Sequence, residues 1–189
     1  MRILVTAFGS FPGVPDNPSA TALRALDLSR PWANSHAVRK KVLRVSYRSC
    51  RRWAQNLEYL DYDLILLTGV ARRAESFRLE RCARNICGGK RGDAAGEKRG
   101  SGRVLRGGPE VLRSKLPVDK IARCLRRRGL PVVVSDSAGD YVCNFLYYQA
   151  LFAAAKTSTK IAFLHVPAVG GKKIVKVLAA VLGRAAGRC

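Results

Sequence analysis

The chain has 189 residues, and 35 Lys and Arg against 13 Asp and Glu give it a formal net charge of +22. Its length suits one domain spanning residues 1–189 with a sizeable core, and 48% hydrophobic residues exclude a disordered chain. No run of about 20 apolar residues is present to span a membrane, and the opening run Ile3–Ala7 is too short for a signal-peptide core.

In chain order, Arg2–Thr6 reads as the first strand, and Asn17-Pro-Ser19 opens a helix running to about Leu28. Asn17 or Ser19 would cap that helix, with Leu23 and Leu26 on its buried side. Ala37–Tyr47 alternates like a strand, and Cys50–Leu60 sets Trp53, Leu57 and Leu60 at helical spacing. Tyr62–Thr68 is a buried strand that Gly69 should end, and Phe77–Ile86 is a further strand. Gly88 to Gly108 is rich in Gly, Lys and Arg and poor in apolar residues, so a mobile basic surface loop is expected over 88–108. It lacks the glycine spacings of a nucleotide-phosphate cradle. A helix over Val118–Arg128, a strand over Leu130–Val134, a helix from near Tyr141, a strand over Lys160–Pro167 and a helix from Lys172 to about Ala186 complete the chain. This alternation predicts an α/β fold, a three-layer α/β/α sandwich over a largely parallel open sheet.

Without an export signal the expected location is cytoplasmic, and the six cysteines (50, 82, 87, 124, 143, 189) are expected to be reduced thiols. None has zinc-ligand spacing, so no metal is expected. The positive charge is scattered, from Arg39–Lys41 through Arg51–Arg52, Arg72–Arg73 and Arg126–Arg128 to Lys172–Lys173. No recognition motif accompanies it. The expectation is weak, non-specific, salt-sensitive polyanion binding. A non-catalytic chain whose basic surface binds nucleic acid or another polyanion is the alternative reading.

Chemistry concentrates in Ser135 to Tyr148, which reads Ser-Asp-Ser-Ala-Gly-Asp-Tyr-Val-Cys-Asn-Phe-Leu-Tyr-Tyr. Cys143 falls in the first turn of the expected helix, where unpaired N–H groups and the helix dipole favour a thiolate. On the residues alone it is either a nucleophile or a buried structural cysteine. His165 ends the strand before Pro167 and is either a base or a satisfied core group. In an open α/β sheet ligands bind beyond the carboxyl ends of the strands, so Cys143 and His165 should emerge on one edge. Glu80 either joins them or is a surface carboxylate paired with Arg78 or Arg81.

The Ser135–Asn144 sequence resembles the cysteine motif of the pyroglutamyl peptidase I (pyrrolidone-carboxylate peptidase) family. Phe163-Leu-His-Val-Pro167 is similar to that family's histidine motif, and Leu79-Glu-Arg-Cys-Ala-Arg-Asn85 to its glutamate motif. Ile3-Leu-Val-Thr-Ala-Phe-Gly-Ser-Phe11 with Asn17-Pro-Ser19 resembles its opening strand and loop, and the motifs stand in the family's order. The resemblance implies a cysteine peptidase that needs no cofactor and removes pyroglutamate from N-terminally pyroglutamylated peptides, with homodimers or homotetramers common. It implies Cys143 as nucleophile, His165 as acid and base, and Glu80 as the group that orients the imidazole. Phe8 and Phe11 would line the lactam slot with Asn17 nearby, and Val70, Tyr141 and Val142 would complete it. Core packing for the two rings and a helix cap for Asn17 are their competing roles. Two departures stand out: Val70 where many bacterial members carry Gln, and the negative charge of Asp140 near the nucleophile.

Overall fold

The computed structural model describes residues 1–29, 33, 35–56, 61–88, 92–168 and 171–187. Leu57 and Leu60 of the expected second helix, residues 89–91 of the basic loop, and Cys189 lie outside the described residues.

The elements, in order, are β1 (Arg2–Phe8), α1 (Pro18–Ala25), β2 (Ala37–Leu43), α2 (Tyr47–Gln55), β3 (Leu64–Ala71), β4 (Phe77–Glu80), β5 (Cys82–Arg84), β6 (Val111–Arg113), α3 (Val118–Arg127), β7 (Val132–Ser135), α4 (Val142–Ala153), β8 (Lys160–Pro167) and α5 (Gly171–Ala185). Six strands form one mixed sheet in the order β2-β1-β3-β8-β4-β7, and β5 and β6 make a separate two-stranded sheet. Strands β2, β1, β3 and β8 are mutually parallel. Strand β4 runs antiparallel to β8, and β7 runs parallel to β4. The expected α/β sandwich is therefore present, with its last two strands reversed.

The alternation of side chains along each strand sorts the core into two halves. On one face Ile3, Val5, Leu64, Leu66, Phe77, Leu79, Ala162 and Leu164 meet the apolar stripes of α1, α3 and α5. On the other, Leu4, Phe8, Ile65, Leu67, Ile161 and Phe163 meet α2 and α4. Central strands covered on both faces read as continuous apolar runs, as β3 and β8 do. Helix α4 is wedged between that sheet face, α2 and the small β5–β6 sheet. Its Val142, Phe145, Tyr147, Tyr148 and Ala150 are wholly buried, so it carries no polar stripe.

Several boundaries differ from the sequence reading, each for a local reason. Strand β2 stops at Leu43 and not at Tyr47, because Ser46 caps α2 by accepting from the Ser49 N–H. Gly69 does not end β3, which keeps pairing with β8 as far as Ala71 opposite Pro167. The expected strand Phe77–Ile86 is two strands in two sheets. They meet at Arg81, whose N–H donates to the Ser135 carbonyl at 2.7 Å and whose carbonyl accepts from Ser114 at 3.0 Å. In the basic loop, Asp93 gathers the chain: its carboxylate accepts from the N–H groups of Tyr47, Ala95 and Glu97 at 2.8 to 2.9 Å. Burial works against that charge, but these bonds outweigh it and hold the Asp93 pKa below the ordinary carboxylate value.

Candidate active site

Strand register brings the first two functional groups together. Across the antiparallel β4–β8 ladder, Arg78 stands opposite His165 and Glu80 opposite Phe163. All four side chains share one face, so Glu80 and His165 are diagonal neighbours within reach of each other. His165 Nδ1 donates to Glu80 Oε1 at 2.8 Å, with Glu80 0% and His165 6% exposed. The second carboxylate oxygen, Oε2, has no hydrogen-bond partner among the described residues. A buried carboxylate so placed has the imidazolium as its natural counter-charge. Of the two readings open for Glu80, the surface pairing with Arg78 or Arg81 is not found among the described residues. Arg81 instead binds both oxygens of Asp136, at 2.8 and 2.7 Å, and Asp119 at 2.9 Å. That clamp ties the end of β4 to the turn leading to Cys143 and to the start of α3.

Phe163 backs the imidazole, with ring centroids 4.6 Å apart. Burial alone would disfavour its charged form, but hydrogen bonding to Cys143 and Glu80, and the charge of both, outweigh it. The His165 pKa is raised from 6.5 to about 9.

Cys143 arrives by a route that differs from the sequence argument. Its strand, β7, runs opposite to β8, so the carboxyl ends of the two strands do not share an edge. The turn 136–141 returns the chain towards the end of β8, and α4 then lays Cys143 over Gly69, the residue paired with His165. A Cβ on Gly69 would stand 3.0 Å from Cys143 Sγ, 3.1 Å from Phe163 and 3.3 Å from Phe8. The strand must lack a side chain here for the sulfur to sit against it. Gly69 is thus part of the site, although as a residue it reads only as strand punctuation.

Tyr141 holds the N-cap position of α4 without a side-chain cap bond. The first amides of the helix, those of Val142 and Cys143, are therefore left without a side-chain cap at the start of α4, where the nucleophile candidate sits. Tyr141 uses its hydroxyl to donate to the Gly92 carbonyl at 2.8 Å, which fixes the loop start. Asn144, next to Cys143 and fully buried, clamps α4 to the small sheet. It accepts from Arg84 N–H at 3.0 Å and donates to the Arg84 and Ile86 carbonyls at 2.8 Å. Tyr147, one helical turn on, donates to the Glu80 carbonyl at 3.1 Å. These buried bonds over-determine where the sulfur sits.

Cys143 opens into a cleft of about 840 Å³ lined on its apolar side by Phe8, Phe11, Val45, Val70, Ala71 and Tyr141. Phe11 is held there by a tight turn, exchanging backbone bonds with Val14 at 3.2 and 2.8 Å, with Gly13 at φ +79°. Of the residues expected around the slot, Phe8, Phe11, Val70 and Tyr141 line the cleft. The Val142 side chain is fully buried. Asn17 caps α1, accepting from Ser19 N–H at 3.1 Å and donating to the Gly9 carbonyl at 2.9 Å, so it supports the cleft loop from behind. Asp140 lies at the rim, with Arg72, Arg73 and Arg78. Among the described residues no group of three or more His, Cys, Asp or Glu is placed to hold a metal ion. No helix among them is long and apolar enough to cross a membrane.

A buried carboxylate, an imidazole it orients, a sulfur beside that imidazole and free amides at a helix start form the constellation of covalent acyl transfer. Comparison with known proteins gives the same direction. Residues 1–182 match the family model described as pyroglutamyl peptidase. The chain is 34% identical to a pyrrolidone-carboxylate peptidase of Thermococcus onnurineus, over 88% of this chain and 84% of the relative. It is 32% identical to that of Pyrococcus furiosus, over 94% and 86%. Among solved structures, the pyrrolidone carboxyl peptidase of Thermus thermophilus superposes with a TM-score of 0.86 at 27% identity, covering 96% of this chain and 98% of that one.

Proposed function

The chain belongs to the pyroglutamyl peptidase family, and from that premise we propose that it is a cysteine exopeptidase releasing pyroglutamate from the N-terminus of peptides. The observation that carries the reading is the 2.8 Å bond from His165 to buried Glu80 beside a sulfur packed on Gly69. In this reading Cys143 Sγ attacks the pyroglutamyl carbonyl while His165 takes the thiol proton and then passes it to the leaving amine. The N–H groups of Val142 and Cys143 receive the oxyanion. Water, deprotonated by the same imidazole, attacks the thioester and frees pyroglutamate. Glu80 is the positioning residue, holding the ring by Nδ1 so that Nε2 is left for the sulfur. A lactam is neutral, and the apolar wall of Phe8, Phe11, Val70 and Tyr141 suits it while penalising a charged α-amine. The test is release of a fluorogenic amine from a pyroglutamyl amide beside the matching prolyl amide. Pyroglutamyl turnover well above prolyl is expected, and a preference for prolyl overturns the substrate assignment.

A second, weaker property is supported by charge. Lys120, Arg123, Arg127, Arg128 and Arg184 line one shallow groove around Cys124, on top of a net charge of +22. Retention on heparin should be lost steeply with added salt and show no sequence preference with DNA, as counterion release requires. Salt-independent retention would contradict it.

A further inference from the structure

Three cations at the cleft rim have no role in holding a neutral lactam. Arg72, Arg73 and Arg78 line the cleft together, against a single carboxylate, Asp140. All three are exposed, and none forms a side-chain ion pair or hydrogen bond among the described residues. Their positions are not those of a scattered basic surface. Arg78 is the residue directly opposite His165 in the β4–β8 ladder, on the same face as Glu80. Arg72 and Arg73 follow directly on β3, which carries Gly69 beneath the nucleophile. The Arg72 guanidinium reaches the Gly13 turn, within 3.7 Å of where a Cβ would stand. The apolar side of the cleft takes the ring, so the arginines face the part of the peptide beyond the scissile bond.

We propose that this cleft selects pyroglutamyl peptides whose leaving portion carries a carboxylate within one residue of the scissile bond, with Arg78 its main partner and Arg72 and Arg73 completing the field. The proposal rests on the peptidase reading above. A guanidinium–carboxylate contact favours an anion over a neutral group. A lysine or an unblocked amine at the same place is repelled. The carboxylate has two chemical sources: an acidic side chain on the first residue after pyroglutamate, or the free C-terminus of a dipeptide.

Four substrates separate these sources: pyroglutamyl-alanine amide as neutral reference, pyroglutamyl-glutamate amide, pyroglutamyl-alanine with a free carboxyl group, and pyroglutamyl-lysine amide. Released pyroglutamate is measured for each. One or both of the acidic substrates should exceed the reference in kcat/KM by about tenfold, the scale of one charge-assisted hydrogen bond at an exposed site. The lysine amide should fall below it. Preference for the glutamate amide alone assigns the side chain as the source, and preference for the free acid alone assigns the C-terminus. In 1 M salt, where the screening length is about 3 Å, the advantage should shrink markedly. Arg78→Gln should collapse the ratio of acidic to neutral kcat/KM, and the Arg72→Gln/Arg73→Gln double variant should reduce it. Equal rates on acidic and neutral substrates, or a ratio unchanged in both variants, overturn the proposal while leaving the peptidase reading intact. Cleavage of none of the four overturns both.

Discussion

Cys143→Ser is expected to lower turnover of a pyroglutamyl amide on the order of 10⁴-fold or more, because a nucleophile and its base act as one unit. The hydroxyl is a poor nucleophile at its own pKa, and among the described residues no other Cys, Ser or Thr lines the cleft. Stability should barely move, by no more than about 1 kcal/mol, since one atom changes at a partly exposed position. Chemical labelling checks the same assignment independently. Cys50, Cys82 and Cys87 are buried, and burial pushes the Cys50 and Cys82 thiols up, away from reactive thiolate. Cys124 is the partly exposed competitor among the described residues. Iodoacetamide at neutral pH should therefore mark Cys143 first, and pyroglutamate should slow that step. Full activity in the serine variant, or Cys143 among the slowest thiols, would remove it from the mechanism.

His165→Ala should cost at least about a hundredfold in turnover, the scale of a positioned acid–base group. Glu80→Gln should cost less, because the base remains and only its orientation and charge support are weakened. The two variants differ in a second way that a purely structural role for Glu80 would not produce. With the His165 pKa raised to about 9, the imidazolium that protonates the leaving amine persists through neutral pH, and activity should decline as pH rises through about 9. Removing the carboxylate removes one of the influences that raise it, so in Glu80→Gln the alkaline limb should move to lower pH. Stability follows by linkage. A folded pKa above the ordinary 6.5 means the stabilisation is complete below about 6.5, shrinks as the unfolded chain deprotonates, and is gone above about 9. A pH profile of kcat/KM for wild type and Glu80→Gln decides the matter. An unmoved limb, or a larger loss in Glu80→Gln than in His165→Ala, would reassign the roles.

Most of the site is legible along the chain because its groups sit at ends of elements with strong local signals. Cys143 follows an apolar strand and a turn of small polar residues, and His165 closes an apolar run. The supporting contacts are not legible in the same way. Gly69 lies within a strand whose pairing with β8 is non-local, so only the fold reveals that its missing Cβ makes room for a sulfur 74 residues later. On its residues alone Glu80 is open to a surface pairing as well as to the site, and only the place of β4 inside the sheet, with Glu80 0% exposed, excludes the surface role. The reversal of β4 and β7 leaves no trace in composition or periodicity, since a buried strand looks the same in either direction. Cys143 and His165 lie together, but not by the parallel-edge route, because β7 runs opposite to β8. Asn144 follows the cysteine in the motif, but its three bonds to Arg84 and Ile86 depend on β5 leaving the main sheet at Arg81.

The strand order carries a consequence for how the molecule comes into being. Strand β8 is the last to be synthesised, yet it occupies the interior of the sheet, between β3 and β4. Until residues 160–167 leave the ribosome, the earlier strands can form only two separate pieces, β2-β1-β3 and β4-β7, each with an unpaired inner edge, the leucine-rich β3 on the first and Phe77–Glu80 on the second. Exposed edges of that kind invite pairing with other chains. Closure of the sheet is a late, long-range event, which slows folding relative to a sheet built strand by strand. It also delivers His165 to Glu80 and Cys143, so the candidate site is assembled in the same step that seals the core.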